Sequence, residues 1–190
     1  GGVDKGLQSF HGTPLALHAL RRLQPQTGTA AVNAHRNFAN YEAFGVPVWP
    51  DTLPDHAGPL AGFLAGLLHC ATPWLLMVPC DTPRFPADLA LRLAAAAAAQ
   101  GTDMAMAAAP SDDGRGRITL RRQPVFSLVH VRLRESLVAY TGNGGRKIGA
   151  WADQHRCALV PFDQPGDDPE AFYNANTLEQ LQALHQLPGL

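Results

Sequence analysis

Short apolar runs alternate with longer amphipathic segments along most of this chain. Apolar runs of strand length occupy 29–32, 46–49, 74–78, 104–109, 125–131 and 158–162. Between them lie segments whose apolar residues recur every three or four positions, which is the spacing of a helix with one buried face. This alternation predicts an α/β domain with a mostly parallel central sheet that is covered by helices on both faces.

Two proline-containing pairs, Thr13-Pro14 and Gly58-Pro59, mark the clearest helix starts. Proline suits the first helical position because the N–H that it lacks would have no partner there. Thr13 is therefore expected to cap the first helix with its hydroxyl. Further helices are predicted over 38–44, 86–100, 133–140 and 147–154, with a last one after residue 177.

Bulk properties narrow the range of functions. The 190 residues suit one domain that spans 1–190, and a net charge of −1 gives no reason to expect nucleic acid or an anionic membrane as a partner. No apolar run approaches the roughly 20 residues of a membrane span. The three cysteines lack the C-x-x-C spacing of zinc or redox sites, which favours a reduced, cytoplasmic setting.

Polar residues lie at the ends of three predicted strands: Asn33, Asp51 and Asp81. Ligands of open α/β sheets bind outside the carboxyl ends of the strands. Any one of these residues alone is more often a turn residue than a ligand. One shared cleft would explain all three together, so they are the first candidates for a site.

Asp81 is the strongest single candidate. Pro79 and Pro83 restrict the backbone on either side of it. A carboxylate is a hard oxygen ligand, and Mg²⁺ commonly takes one or two such groups and completes its shell with water and substrate phosphates. The other interpretation is that Asp81 caps a turn before the next helix.

Two further segments could bind phosphate. Gly58 begins a helix, which leaves backbone N–H groups accessible to a ligand, although a plain helix start with glycines for close packing is equally consistent. Lys5 follows two glycines and an aspartate. Lysines in glycine-rich loops bind phosphate in unrelated folds, whereas a lysine near a chain end is usually only solvated.

Together the motifs resemble one family. In order, the chain carries GGVDKG at 1–6, NAHR at 33–36, Asp51 with GPLAG at 58–62, PCDTP at 79–83 and NANT at 174–177. This series is similar to that of the molybdenum cofactor guanylyltransferase (MobA) family, which has a Rossmann-like three-layer nucleotidyltransferase fold. The resemblance implies transfer of GMP from GTP to the terminal phosphate of molybdopterin, with release of pyrophosphate and use of Mg²⁺.

The resemblance also implies roles for individual residues. Lys5 would contact GTP phosphate, Asp81 would bind Mg²⁺, and these two would carry the catalysis. The other implied positions are Asn33 and Asp51 for the guanine nucleotide, Gly58, Pro59, Leu60 and Gly62 for the lining of the cleft, and Asn174 and Asn176 for the molybdopterin side.

Arg146 and Lys147 follow a glycine-rich loop. They could hold the molybdopterin phosphate, or they could be the solvated start of a helix, because charges at loop–helix junctions are often merely exposed. Cys80, next to Asp81, is expected to be a small buried residue rather than a catalytic thiol.

The chain departs from the family pattern in two places. Family members open with a strand and the loop L-A-G-G-x-x-x-R-M-G-G-x-D-K, of which only the end is present here. That strand lies centrally in the fold, so we expect unpaired strand edges, a hole in the core, and about 20 further N-terminal residues in the natural protein. The chain also has Gln123-Pro124 where members often carry His-Pro.

Two other functions are compatible with these residues. One is a sibling enzyme on the same fold, such as a cytidylyl- or sugar-phosphate nucleotidylyltransferase. The other is a non-catalytic module that binds molybdopterin and delivers it to molybdoenzymes or to other proteins of cofactor biosynthesis.

Overall fold

The computed structural model describes residues 4–52, 58–112 and 114–174. The strands are β1 (Ser9–Phe10), β2 (Thr13–Pro14), β3 (Val32–Ala34), β4 (Val48–Pro50), β5 (Trp74–Met77), β6 (Met104–Asp112), β7 (Ile118–His130) and β8 (Cys157–Pro161). The α-helices are α1 (Leu15–Leu23), α2 (Phe38–Glu42), α3 (Pro59–His69), α4 (Leu89–Gln100), α5 (Arg134–Gly142) and α6 (Ile148–Ala152). Short 3₁₀ turns lie at Lys5–Leu7, Gln24–Gln26 and Val131–Leu133. The helix predicted after residue 177 lies outside the described residues.

The larger sheet has the strand order β5-β7-β6-β8. β7 runs antiparallel to both β5 and β6, whereas β6 and β8 are parallel. β3 and β4 form a separate parallel pair. The α/β class is confirmed, with mixed rather than mostly parallel pairing among the described strands, because β6 and β7 form one long hairpin.

That hairpin is longer than the apolar pattern predicts. The apolar run predicts a strand only over 104–109, but β6 continues to Asp112 and pairs there with Ile118. The part of β7 before residue 123 is exposed to solvent. A strand without a buried face shows no alternation of apolar and polar residues, so this extension was not predicted.

Side-chain alternation along β6 shows the three layers. Met104 and Met106 pack into a core cluster with residues of α3, α5 and α6. Ala105 and Ala107, which point to the other face, pack with residues of α1 and α4. Helices therefore cover both faces of the sheet. The ends of its strands are left as the place where a site can form.

The start of α1 differs from the expectation. Thr13 was predicted to cap this helix, but the N-cap position is Pro14 and makes no side-chain capping bond. Thr13 instead pairs with Phe10 in the small β1–β2 hairpin. The backbone of Thr13 takes part in that pairing, so the helix begins one residue later than predicted, at Leu15.

A cavity of about 1250 Å³ separates the β3–β4 pair from the larger sheet. Within the described ranges, β3 pairs only with β4, and β5 only with β7. The lining is largely apolar and includes Leu20 of α1, Val32 of β3, and Leu76 of β5. Every side chain of β5 is partly exposed, which is unusual for a strand this apolar. The cavity lies where a hole in the core was expected.

Candidate active site

Lys5 and Asp81 come together at the carboxyl end of β5. The two residues are 76 positions apart in the chain, and Lys5 Nζ lies 3.5 Å from Asp81 Oδ2. The Lys5 side chain is 47% exposed and that of Asp81 is 16% exposed. The structure thus joins two of the predicted site motifs, and the lysine is the more exposed of the two side chains.

Asn33 ties together the elements beside this pair. It lies within β3 rather than at its end, and its side-chain nitrogen donates to the carbonyl oxygen of Trp49 in β4 at 3.0 Å. A Cβ atom on Gly62 would lie 2.8 Å from Asn33 Oδ1, so the glycine allows α3 to approach this closely. Asn33, Gly62 and Asp81 all line the cavity described above.

The segment at the start of α3 contributes Pro59 and Gly62 to the lining of the cleft. Gly58 has a φ of 61°, which favours glycine, and Pro59 follows at the first turn. Leu60 is fully buried and packs into the core, so its predicted contact with the nucleotide stays a prediction. Asp51 directly follows β4 and is partly buried. Residues 53–57, which lie between Asp51 and Gly58 in the chain, are outside the described residues.

Asn174 reaches the same strand end from the far end of the described chain. The Thr82 hydroxyl donates to Asn174 Oδ1 at 2.6 Å, and Thr82 is fully buried. Thr82 is the neighbour of Asp81, so this bond brings the C-terminal motif to the site. Asn176 lies outside the described residues, and its place in the site stays a prediction.

An ion pair that the motifs did not predict supports this arrangement. Arg84 donates to Asp168 Oδ2 from Nη2 at 2.7 Å and from Nε at 3.1 Å. Burial acts to raise the pKa of Asp168, but hydrogen bonding to Arg84 and to the Glu170 backbone outweighs it and lowers the pKa. The pair joins the segment after Asp81 to the segment before Asn174.

Arg146 and Lys147 do not line the cavity that holds Asn33, Asp81 and Asn174. Arg146 donates to the backbone oxygens of Thr141 at 3.1 Å and Gly145 at 2.8 Å. Lys147 is exposed at the N-cap of α6. The structure therefore does not place this pair with the residues that line the cavity, and its proposed role stays a prediction.

Cys80 offers no activated thiol. Burial, together with the neighbouring carboxylates of Asp81 and Asp4, raises its pKa to about 12. It packs against a small cluster that contains Ala16, Ala34 and Tyr41. A thiol that stays protonated at neutral pH is a poor nucleophile, so the position suits packing.

The donor set fits a magnesium ion that arrives with a nucleotide. Among the described residues, no group of three or more histidine, cysteine, aspartate or glutamate side chains could hold a metal on its own. Asp81 offers one partly exposed carboxylate at the cleft. One carboxylate plus substrate phosphates is a common Mg²⁺ environment, so Asp81 is the residue that could hold it.

No helix within the described ranges is both long and apolar enough to cross a bilayer.

Comparison with known proteins gives a consistent result. Residues 1–156 match the model of the MobA-like NTP transferase domain. A molybdenum cofactor guanylyltransferase of Acidovorax sp. (strain JS42) is 68% identical over 188 residues, which cover 98% of this chain and 89% of that protein. A protein of the same name from Bordetella pertussis (strain Tohama I) is 55% identical over 184 residues, covering 97% of this chain and 89% of that one.

Solved structures show the same fold. Molybdopterin-guanine dinucleotide biosynthesis protein A from Archaeoglobus fulgidus aligns with a TM-score of 0.73 and 18% identity, over 97% of this chain and 90% of that one. A 2-C-methyl-D-erythritol 4-phosphate cytidylyltransferase from Thermus thermophilus aligns with a TM-score of 0.72 and 18% identity, over 96% of this chain and 94% of that one. These likenesses confirm the nucleotidyltransferase fold expected from the motifs.

Proposed function

The chain belongs to the MobA-like NTP transferase family, and we propose that it transfers GMP from GTP to the terminal phosphate of molybdopterin. The observation that carries this proposal is the Lys5–Asp81 pair, 3.5 Å apart at the carboxyl end of a strand and beside a cleft. A cation and a metal-binding carboxylate at one point suit the phosphates of a nucleotide. The nucleotidyltransferase activity itself follows from the family.

In the proposed reaction, an oxygen of the molybdopterin phosphate attacks the α-phosphorus of GTP. The bond from that phosphorus to the oxygen bridging to the β-phosphate breaks, and pyrophosphate leaves. The attacking phosphate is already anionic, so no side-chain nucleophile is needed, in keeping with the protonated thiol of Cys80. Catalysis then rests on positioning and on neutralising phosphate charge.

Each site residue has a proposed part in this scheme. Lys5 would bind the GTP phosphates through its ammonium group, and Asp81 would hold Mg²⁺, which would supply further positive charge to the same phosphates. The nucleotide side of the cleft is formed by Asn33, Asp51 and the start of α3. Asn174 and Asn176 face the molybdopterin side, with Arg146 and Lys147 as further contacts to its phosphate.

The choice of GTP rests on the relatives. Proteins with 54–68% identity to this chain carry the name molybdenum cofactor guanylyltransferase. The likeness to a cytidylyltransferase is at 18% identity and supports the fold alone. GTP is therefore favoured over CTP as the nucleotide.

The test is pyrophosphate release from GTP, Mg²⁺ and molybdopterin, measured with a chain that includes its natural N-terminus. We expect release with GTP and not with CTP, and its loss in Asp81→Ala. Asp153→Ala is the matched control, because this aspartate pairs with Arg122 on the surface and is 56% exposed. Release with CTP in place of GTP would support the sibling enzyme and overturn the guanylyl assignment.

The alternative function, a non-catalytic module that delivers molybdopterin, predicts a different result for Asp81→Ala. We propose that the protein works in the cytoplasm and passes its product to molybdoenzymes or other proteins of cofactor biosynthesis. If the chain only carried molybdopterin, Asp81→Ala would still activate an added molybdoenzyme. Under the catalytic proposal, activation of an enzyme that needs the dinucleotide form is lost with pyrophosphate release.

We also propose that a strand fills the cavity between β3 and β5 in the natural protein. The cavity lining is largely apolar, and each bordering strand has one unpaired edge within the described residues. A buried strand edge without a partner is costly, so one more strand would complete the sheet. An intact mass of the natural protein equal to 20.3 kDa, the mass of this chain, would contradict this.

A further inference from the structure

Asp4, the residue before Lys5, is the centre of a compact hydrogen-bond cluster. Its Oδ1 accepts from the hydroxyl of Tyr41 at 2.6 Å and from the backbone nitrogen of Gly6 at 3.2 Å. Its Oδ2 accepts from Asn37 Nδ2 at 2.9 Å and lies 3.6 Å from Arg36 Nε. Only 16% of the Asp4 side chain is exposed. Both carboxylate oxygens are thus held by the β3–α2 segment.

Tyr41 connects this cluster to the packed part of the protein. It is 5% exposed, belongs to α2, and its ring lies edge-on to that of Phe44 at 5.7 Å. A Cβ atom on Gly6 would lie 2.5 Å from the Tyr41 hydroxyl oxygen. The turn that carries Lys5 therefore lies directly on Tyr41, and only glycine allows this approach.

Asp4 also shapes the turn itself. It is the N-cap of the 3₁₀ turn Lys5–Leu7, and its backbone oxygen accepts from Leu7 at 3.2 Å. Lys5 is the first residue of that turn, and its own contact with Asp81 is long and largely exposed. Asp4 thus contributes both a backbone and a side-chain contact to the turn under Lys5, and Tyr41 of α2 is among the residues that hold Asp4.

We propose that Asp4, held by Tyr41, is a positioning residue that fixes the Lys5 turn so that the Lys5 ammonium group faces the substrate phosphates. This inference rests on the proposed function for the role of Lys5. Restricting a flexible lysine before the substrate binds lowers the entropy lost on binding, which is the benefit of preorganisation. Asp4 does not touch the substrate in this scheme, and it acts through Lys5.

The protonation states of Asp4 and Tyr41 favour a hydrogen bond that persists at neutral pH. Burial acts to raise the pKa of Asp4, but hydrogen bonds from Tyr41 and Asn37 and the charge of Arg36 outweigh it and lower the pKa. Burial, followed by the bond to Asp4, raises the pKa of Tyr41 far above its ordinary value. The carboxylate stays ionised and the hydroxyl keeps its proton at neutral pH.

The first test is a double-mutant cycle between Tyr41 and Lys5, read as the affinity for GTP with Mg²⁺. We expect Tyr41→Phe to weaken binding about tenfold in the wild-type background, the size of one hydrogen bond to a charged group. In the Lys5→Ala background Tyr41→Phe should have almost no further effect on GTP affinity, because Tyr41 acts on binding only through the Lys5 ammonium group. An equal loss in both backgrounds would overturn the proposal.

The second test needs no nucleotide, so it separates this inference from the proposed function. The chain has only two lysines, Lys5 and Lys147. After reductive ¹³C-methylation, which keeps the charge, NMR reports each lysine separately. We expect Tyr41→Phe and Asp4→Asn to narrow the Lys5 signal and move it toward that of a free lysine, while Lys147 is unchanged.

Tyr140→Phe is the matched control, because the Tyr140 hydroxyl donates to the backbone of Lys147 at 3.1 Å. It should leave the Lys5 signal in place. A Lys5 signal that is already free in the wild type, or that ignores Tyr41→Phe in a folded protein, would contradict the proposal even if guanylyl transfer is confirmed. If no guanylyl transfer is observed but the Lys5 signal changes in Tyr41→Phe as expected, the positioning role of Asp4 is supported. Only the proposed reaction is then contradicted.

Discussion

The buried hydroxyl of Thr82 donates to the side-chain oxygen of Asn174 across 92 positions of the chain, at 2.6 Å. This bond joins the strand end that carries Asp81 to the segment proposed to face molybdopterin. Under the proposed function, the residues that would hold the two substrates therefore adjoin each other at one strand end. We therefore expect loss of the Thr82–Asn174 bond to affect the use of molybdopterin more than the binding of GTP.

The first prediction concerns Thr82→Val, which keeps the shape of the side chain and removes its donor. We expect kcat/KM for molybdopterin to fall about tenfold, while the affinity for GTP stays within about twofold, because only Asn174 loses its alignment. Steady-state kinetics with each substrate varied in turn measure this. Thr102→Val is the matched control, since its buried hydroxyl bonds to the backbone of Met104 far from the site. A parallel loss for both substrates would contradict the separation.

The second prediction concerns the close approach of α3 to Asn33. In Gly62→Ala the added methyl group would lie 2.8 Å from Asn33 Oδ1, so Asn33 or the helix must move. We expect weaker GTP binding in calorimetry and a lower melting temperature. Gly149→Ala in α6 has open space around its Cβ position and should hold or raise the melting temperature, because alanine favours helix. Unchanged GTP affinity in Gly62→Ala would show that Asn33 and the start of α3 do not form part of the nucleotide site.

The third prediction concerns the core on the α4 side of the sheet. Leu93 is fully buried, whereas Leu91 in the same helix is 72% exposed. Leu93→Ala should lower the free energy of unfolding by about 2–5 kcal/mol, and Leu91→Ala by well under about 1 kcal/mol. Urea denaturation measures both. Equal effects would mean that α4 does not pack on the sheet as described.

The fourth prediction follows from the Arg84–Asp168 pair. The pKa of Asp168 is lowered in the folded state, so its contribution to stability is present above the ordinary aspartate pKa and is lost as the pH falls through the folded value. Removing the arginine should therefore weaken the fall in stability between about pH 5 and pH 2. Melting temperatures of the wild type and Arg84→Gln across that range test this. Parallel curves would show that the pair does not couple to folding.

Part of this account could be predicted from the sequence for clear physical reasons. The strand at 74–77 and the helix from Pro59 to His69 follow from short apolar runs, helical spacing and a proline start signal. The meeting of Lys5 with Asp81 could be anticipated because both belong to motifs of one family. Local patterns carry this information directly.

Other features depend on contacts between distant residues. Nothing near Arg84 indicates that it pairs with Asp168, since both are ordinary charged residues in polar loops. The position of Asn33 inside β3 depends on pairing with β4, which no local pattern reports. The anchoring of Asp4 by Tyr41 likewise joins residues 37 positions apart. Tertiary contacts of this kind determine the site but leave little local signal.

The most direct test of the central claim is pyrophosphate release by the full-length natural protein, supplied with GTP, Mg²⁺ and molybdopterin. We predict release that requires molybdopterin, stops in Asp81→Ala, and continues in Asp153→Ala. Undiminished release in a folded Asp81→Ala variant, or none from the wild type with either GTP or CTP, would contradict the account.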